Sequence, residues 1–405
     1  MIETLRSVVK FRRLELDPVA RRLARAANVA DLRRIARRRL PRGVFDYIDG
    51  GAEDERTLAE NSAAFARIGF RPRVLRGVGT VDPSTTLLGQ PMPIPLVLAP
   101  TGFTRIADPD GELSVARAAQ RAGLPYTLST LGTRSIEEVA AVSAGRKWFQ
   151  LYMFRDRGLV EEMIKRAAAA NYEALVFTVD LTVHGRRERD VRRGFSLPPQ
   201  IGLDTMLDGA IHPAWTWGFV RGEPIRFANV GRGAGDGSTA VSLSEYISEQ
   251  MDPGLSWDDV RWLREVWDGP IVLKGIQTVA DARIAADEGV EAIALSNHGG
   301  RQLDSAPAAV DLVAPVADVV GDEVEIICDG GVRRGSDIVK AVALGARACM
   351  AGRAYLYGLG AAGERGVDFV LGLLNADIRR TMALIGARDV EHLDRELVQL
   401  PGVGA

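Results

Sequence analysis

The sequence predicts a (β/α)8 barrel with an N-terminal helical extension and one long insertion after the fourth strand. Three observations lead there. Eight short apolar runs recur from about residue 94 onward, alanine-rich helical patterns separate most of them, and polar or glycine-rich clusters follow nearly every run. Continuous apolar runs fit parallel strands covered on both faces, and eight strand–helix alternations fit a closed barrel. A doubly wound sheet is the runner-up, but it does not place polar clusters at the end of nearly every strand.

Residues 1 to about 45 are arginine-rich and helical in spacing, with Asp31 the expected N-cap of the Val29–Ala36 pattern. The arginines read as a solvated helix face, and contact with anionic lipid is the alternative. Phe45–Asp54 breaks this helix at Gly50-Gly51; residues 1–90 are expected to be an N-terminal helical segment and lead-in, and 91–405 the barrel domain. The expected strands are Ile94–Ala99, Pro125–Leu128, Lys147–Leu151, Ala174–Val179, Pro270–Leu273, Glu291–Leu295, Val324–Ile327 and Ala346–Met350. Helical patterns such as Glu112–Ala122 and Asp281–Glu288 lie between them, and further helices from about 361 to 405 close the chain. About 90 residues separate the fourth strand from the fifth, where a strand–helix–strand unit needs about 30. Residues from about 194 to 256 are therefore an insertion, which mixes Pro, Gly and Ser with Trp215, Trp217 and Phe219. Loops of this length are lids, disordered segments or binding surfaces.

Composition narrows the partners. The 405 residues are 46% hydrophobic with a net charge of -2, enough for a large core and unsuited to binding nucleic acid by bulk charge. Cys328 and Cys349 sit in apolar runs and read as core residues in a reducing compartment. No apolar run approaches the roughly 18–20 residues that span a bilayer, and no secretory pattern leads the chain. A cytoplasmic location is expected, and no metal site.

In such a barrel the βα loops at the carboxyl ends of the strands build the site. Those ends carry Thr101 and Gly102, Ser129, Gln150 and Tyr152, Thr178 and Asp180, Lys274, His298 and Arg301, Asp329 to Gly335, and Gly352-Arg353. The sixth is the densest: Ser296-Asn297-His298-Gly299-Gly300-Arg301-Gln302-Leu303-Asp304. Its glycines permit a tight turn that aims His298 and Arg301 into one space. A histidine there takes a proton near neutral pH, and an arginine grips a carboxylate at two points. Base plus clamp is what oxidation of a 2-hydroxy acid requires; a satisfied histidine beside a solvated arginine is the bland alternative. After the seventh and eighth strands, glycine N–H groups, a helix start and arginines suit a phosphate, with plain turns as the alternative. No complete Walker or dinucleotide fingerprint opens a helix, which favours a mononucleotide such as FMN over NAD.

The same residues carry a family likeness. SNHGGRQLD resembles the active-site signature of the FMN-dependent L-2-hydroxy acid dehydrogenases and oxidases, the family of glycolate oxidase and lactate dehydrogenase. Phe45–Asp54 is similar to that family's DYYxxGAED segment. The likeness runs from about Asp31 to about Gly360 and is closest to the bacterial flavin L-lactate dehydrogenases. It implies FMN across the barrel mouth, with Thr101 and Gly102 beside the reactive edge and Ser129, Gln150 and Thr178 on the ring. Lys274 would stand at the pyrimidine end and Asp329 on the ribityl hydroxyls. Gly331, Arg333, Gly352 and Arg353 would surround the phosphate. It also implies His298 as base, Asp180 as its orienting carboxylate, Arg301 and Arg187 on the substrate carboxylate, and Tyr47 and Tyr152 as hydrogen-bond partners. Read alone, Tyr47 is a packed aromatic with a satisfied hydroxyl. His184, His212 and His392 lack such context and are expected on surfaces or loops.

The implied reaction takes an L-2-hydroxy acid, foremost L-lactate, to the 2-keto acid, pyruvate, in the homotetramer common in the family. Gly102 bears on the acceptor: the oxidases usually carry alanine there, while mandelate dehydrogenase is similar to this chain in having glycine. Electrons are therefore expected to pass to a quinone or another carrier. An oxidase using oxygen is the alternative. An FMN barrel isomerase would not need the arginine clamp, and a non-catalytic flavin protein would not need His298 with Asp180. The aromatic stretch Ile211–Val220 suits peripheral contact with the inner face of the cell membrane, as the corresponding insertion does in mandelate dehydrogenase. Closure over the site and packing between subunits are its other readings.

Overall fold

The computed structural model describes residues 15–192, 203–230 and 249–400. Eight parallel strands close into a barrel: Leu96–Leu98, Tyr126–Ser129, Lys147–Leu151, Ala174–Thr178, Ile271–Ile276, Ala292–Ser296, Glu325–Asp329 and Ala348–Ala351. Closure is made by the eighth strand against the first, with Cys349 opposite Leu96 and Met350 opposite Val97. Each expected apolar run is one of these strands. Side chains alternate along them as the pleat requires. Trp148, Val176, Val272, Ile327 and Met350 fill the barrel, while Phe149, Leu175, Phe177 and Leu295 pack outward in the main core with the helices.

The helix Glu112–Ala122 has the bounds its pattern indicated. The Asp281–Glu288 pattern belongs to a helix that starts earlier, at Val279, because the Thr278 side chain caps it by accepting from Asp281 N. A hairpin of Thr85–Leu87 and Gln90–Met92 inserts Leu87 and Met92 into the barrel interior. Leu88 N donates to Glu325 at the start of the seventh strand. The amino-terminal end of the barrel is thereby plugged, which leaves the carboxyl end for chemistry.

Before the barrel come helices Val29–Arg39, Arg42–Asp49 and Arg56–Arg67. Asp31 is not the N-cap of the first. Asn28 is, its side chain accepting from Asp31 N, while Asp31 accepts from Ala27 N and places negative charge in the first turn. After these helices Gly69–Phe70 pairs antiparallel with Val398–Gln399.

Parts of the predicted 194–256 insertion lie outside the described residues; within it stand helices Leu203–Ala210 and Pro213–Arg221. The second is strapped to the loop after the first barrel strand. Trp215 Nε1 donates to Ile106 O at 2.7 Å, and Arg105 Nη2 donates to Glu223 O at 2.7 Å. Trp217, Phe219, Val220 and Ile211 remain exposed. Among the described residues no helix is long and apolar enough to cross a membrane.

Candidate active site

The sixth strand runs straight into the turn that its glycines permit. His298, Gly299 and Gly300 have φ of 57°, 63° and 73°. That region is strained for a histidine, and neighbouring groups hold it. Ser296 Oγ accepts from His298 N at 3.0 Å, and Asn297 Oδ1 accepts from Gly300 N at 3.1 Å. The turn brings His298 Nδ1 to 2.8 Å from Asp180 Oδ1. Asp180 follows the fourth strand and its side chain is 2% exposed. Burial pushes its carboxyl up, but His298 and Lys274 outweigh burial and hold it below the usual carboxylate range. An ionised carboxylate so placed can stabilise a protonated imidazole, as the third member of a catalytic triad does.

Arg301 continues from the same turn. Burial first, then the Arg187 charge, pulls its guanidinium down to about 9. Its Nη1 donates to Tyr47 O at 2.6 Å. The guanidinium carbons of Arg301 and Arg187 lie 4.9 and 5.3 Å from the centre of the Tyr47 ring. Asp190, 3.4 Å from Arg187, is the acidic partner there. Two cations share one phenol ring with a single carboxylate paired to them among the described residues, an arrangement suited to an anion. Tyr152 is buried, and burial followed by the Asp180 charge raises its hydroxyl pKa, so it stays a donor. Phe103, Ile106, Leu131 and Leu181 form an apolar wall to the same cleft.

Deeper in the mouth, Lys274 Nζ lies 2.9 Å from both Ser296 Oγ and Asp329 Oδ2. Burial opposes its charge, but Asp329 and Asp180 prevail and raise its pKa. Ser129 Oγ donates to Gln150 Oε1 at 2.9 Å, while Gln150 Nε2 and Thr178 Oγ1 are buried with no partner among the described residues. After the seventh strand Gly331 has φ of 79°, and a Cβ there would stand 2.0 Å from Asn61 O, so only glycine fits. Arg333 follows, just ahead of the helix Gly335–Ala343. Gly352 and Arg353 open the helix after the eighth strand. One cleft is lined by every residue expected at the site except Gln150 and Asp180, which stand behind it.

The sequence profile of the FMN-dependent dehydrogenases matches residues 36–400. The chain belongs to that family. Among its relatives is the L-lactate dehydrogenase of Caulobacter vibrioides, 44% identical over 373 residues that cover 92% of this chain and 97% of that one. The L-lactate dehydrogenase of Alcaligenes faecalis is 41% identical over 92% of this chain and 98% of its own. The crystal structure of the monotopic membrane protein (S)-mandelate dehydrogenase superposes with a TM-score of 0.89 at 41% identity, covering 93% of this chain and 99% of that one.

FMN is the cofactor of these dehydrogenases, and the residues present fit it. The Gln150 amide nitrogen and the Thr178 hydroxyl, without partners among the described residues, suit polar atoms of a ring. The glycine turn, the Arg333 side chain and a helix N-terminus suit a single phosphate. Three features of this dehydrogenase's site are not evident in its motifs. Ser296 links Lys274, Asp329 and the His298 amide. Asn61 and Asn297 exchange side-chain hydrogen bonds at 2.8 Å in each direction. His184 is a loop residue, as expected, but lines the mouth, where burial, Arg187 and His298 hold its pKa below the usual value. His212 and His392 lie away from the cleft, each beside an aspartate.

Proposed function

We propose that this FMN-dependent dehydrogenase oxidises L-lactate to pyruvate and passes the electrons to a membrane quinone. The observation that carries the reading is the convergence of Arg301 and Arg187 on Tyr47, beside the His298–Asp180 pair. The substrate carboxylate lies on the two guanidiniums, and Tyr47 and Tyr152 donate to its oxygens. With Nδ1–H bonded to Asp180, Nε2 of His298 carries the free lone pair and takes one proton from the substrate. Asp180 holds the resulting imidazolium. FMN, when bound, would supply the two-electron acceptor, and the second hydrogen of the substrate would leave either with those electrons or as a proton. Ser129, Gln150, Thr178, Lys274 and Asp329 would hold its ring and ribityl chain beside Thr101 and Gly102. Gly331, Arg333, Gly352 and Arg353 would take its phosphate. Phe103, Ile106 and Leu131 line the cleft with apolar side chains, which suits the apolar methyl of lactate. The named L-lactate dehydrogenases agree with that choice.

The acceptor is inferred from Gly102. A Cβ there would meet Leu131 Cβ at 3.1 Å, so alanine fits only if Leu131 gives way. Reoxidation is expected to be faster with a quinone or dye than with oxygen, and Gly102→Ala to change the oxygen rate. Faster reoxidation by oxygen than by every carrier would make the protein an oxidase. A cytoplasmic homotetramer with peripheral membrane contact completes the reading; sedimentation analysis checks the assembly. The primary test is an anaerobic titration of the FMN-loaded protein with L-lactate, in which the flavin band should bleach.

A further inference from the structure

The last carbonyls of a helix have no partner within it and carry partial negative charge. At the end of Arg42–Asp49, the helix that presents Tyr47, two arginines from distant parts of the chain meet such groups. Arg353 donates through Nε to Ile48 O at 3.0 Å, through Nη2 to Gly50 O at 2.7 Å and through Nη1 to Gly299 O at 2.7 Å. Arg301 donates through Nη1 to Tyr47 O at 2.6 Å and Gly50 O at 3.3 Å. All three nitrogens of the Arg353 guanidinium therefore end on main-chain carbonyls. Two belong to the Tyr47 segment and the third to the turn that presents His298.

The fit is close. A Cβ on Gly299 would stand 2.6 Å from Arg353 Nη1. The same two segments touch directly, Ala52 N donating to Gly300 O at 2.8 Å. We propose that Arg353 is a positioning residue that locks the His298 turn to the Tyr47 helix, apart from any contact it makes with phosphate. It sets the base in one frame with the groups that hold the substrate carboxylate. A planar guanidinium can reach three carbonyls in a fixed fork, and a lysine ammonium cannot reproduce that fork. A misplacement of about 1 Å costs a catalytic site on the order of 10²-fold. The inference rests on the function proposed above.

The test uses Arg353→Lys and Gly299→Ala, each assayed with saturating FMN. FMN affinity is read by flavin fluorescence, oxalate affinity by perturbation of flavin absorbance, and KM and kcat with L-lactate. Both variants are expected to weaken oxalate binding and raise KM by about tenfold or more. Gly299→Ala, which leaves the phosphate loop unchanged, should keep the parental FMN affinity. Weaker FMN binding in Arg353→Lys with parental oxalate affinity and KM would confine Arg353 to the phosphate and overturn the proposal. Lower thermal stability with parental constants in both variants would reduce it to a structural brace and do the same. If Arg353→Lys holds no FMN, Gly299→Ala alone decides. A parent enzyme that no L-2-hydroxy acid reduces would overturn the functional reading and the positioning role with it. Parental constants in the variants of a reducible enzyme would overturn the positioning role alone.

Discussion

His298 Nδ1 and Asp180 Oδ1 lie 2.8 Å apart, although the two residues follow different strands of the barrel. In the proposed reaction that contact divides the imidazole between two tasks, one nitrogen held by the carboxylate and the other left to take the substrate proton. Asp180→Asn keeps the shape and removes the charge that stabilises the imidazolium. It should retain FMN and lower kcat by about 10²-fold or more, within the range of general base catalysis. Rapid-mixing measurement of flavin reduction checks this; an unaltered rate would remove Asp180 from the mechanism.

Arg301→Lys keeps a cation but loses both the two-point grip on a carboxylate and the geometry of the bond to Tyr47 O. KM should rise and kcat should fall together, because orientation goes with affinity. Steady-state kinetics with both constants near the parent's would rule out the clamp.

The helix Pro213–Arg221 carries a tethered aromatic pair and an exposed edge. Trp215 and Phe219, four residues apart on one helix, stack with ring centres 4.8 Å apart, and Trp215 is tied to Ile106. Trp217 and Val220 are exposed. Replacing Trp217 and Val220 by serine should abolish sedimentation with anionic liposomes and leave dye-linked activity within about twofold, since surface substitutions away from packed features change little. A parent protein that does not sediment with liposomes would exclude membrane contact. Lost dye-linked activity in the variant would make this face a lid or a subunit contact.

Much of the fold was legible because buried parallel strands are continuous apolar runs. Their ends were less so: the fifth strand continues through Lys274 and Gly275 to Ile276, with a register shift that apolarity does not encode. The central motif was legible because its base, glycines and clamp are adjacent in sequence. The groups that hold it were not. Asn61 with Asn297, Thr57 with Asp304 and Arg353 with Ile48 join residues far apart in the chain, and no local pattern records such pairs. His184 sits in a short loop without periodicity, so only the fold places it at the mouth. Trp215, Trp217 and Phe219 are alike in residue type, whereas helical spacing pairs Trp215 with Phe219 and sets Trp217 apart.

Asp49 shows the same long-range construction. Its buried carboxylate accepts from Arg33, Arg189 and the Tyr357 hydroxyl. Burial pushes its pKa up, yet these partners bring it down to about 2 from an ordinary value of 3.8. A depressed carboxylate stabilises the fold above its unfolded pKa and loses that contribution as pH falls through the folded value. The shift corresponds to about 2 kcal/mol. Asp49→Asn should therefore lose about 2 kcal/mol at neutral pH, and its deficit should shrink between pH 3.8 and about 2. Urea unfolding at several pH values checks this; a deficit independent of pH would assign the loss to packing.

The most direct measurement remains the anaerobic titration of the FMN-loaded protein with L-lactate, followed through the flavin absorption band. Oxidation through His298 and the arginine clamp predicts full bleaching at about one equivalent, with His298→Ala slowed by about 10²–10⁴-fold while keeping its FMN. A band unchanged by L-lactate and by every other L-2-hydroxy acid, in protein shown to hold FMN, would contradict it.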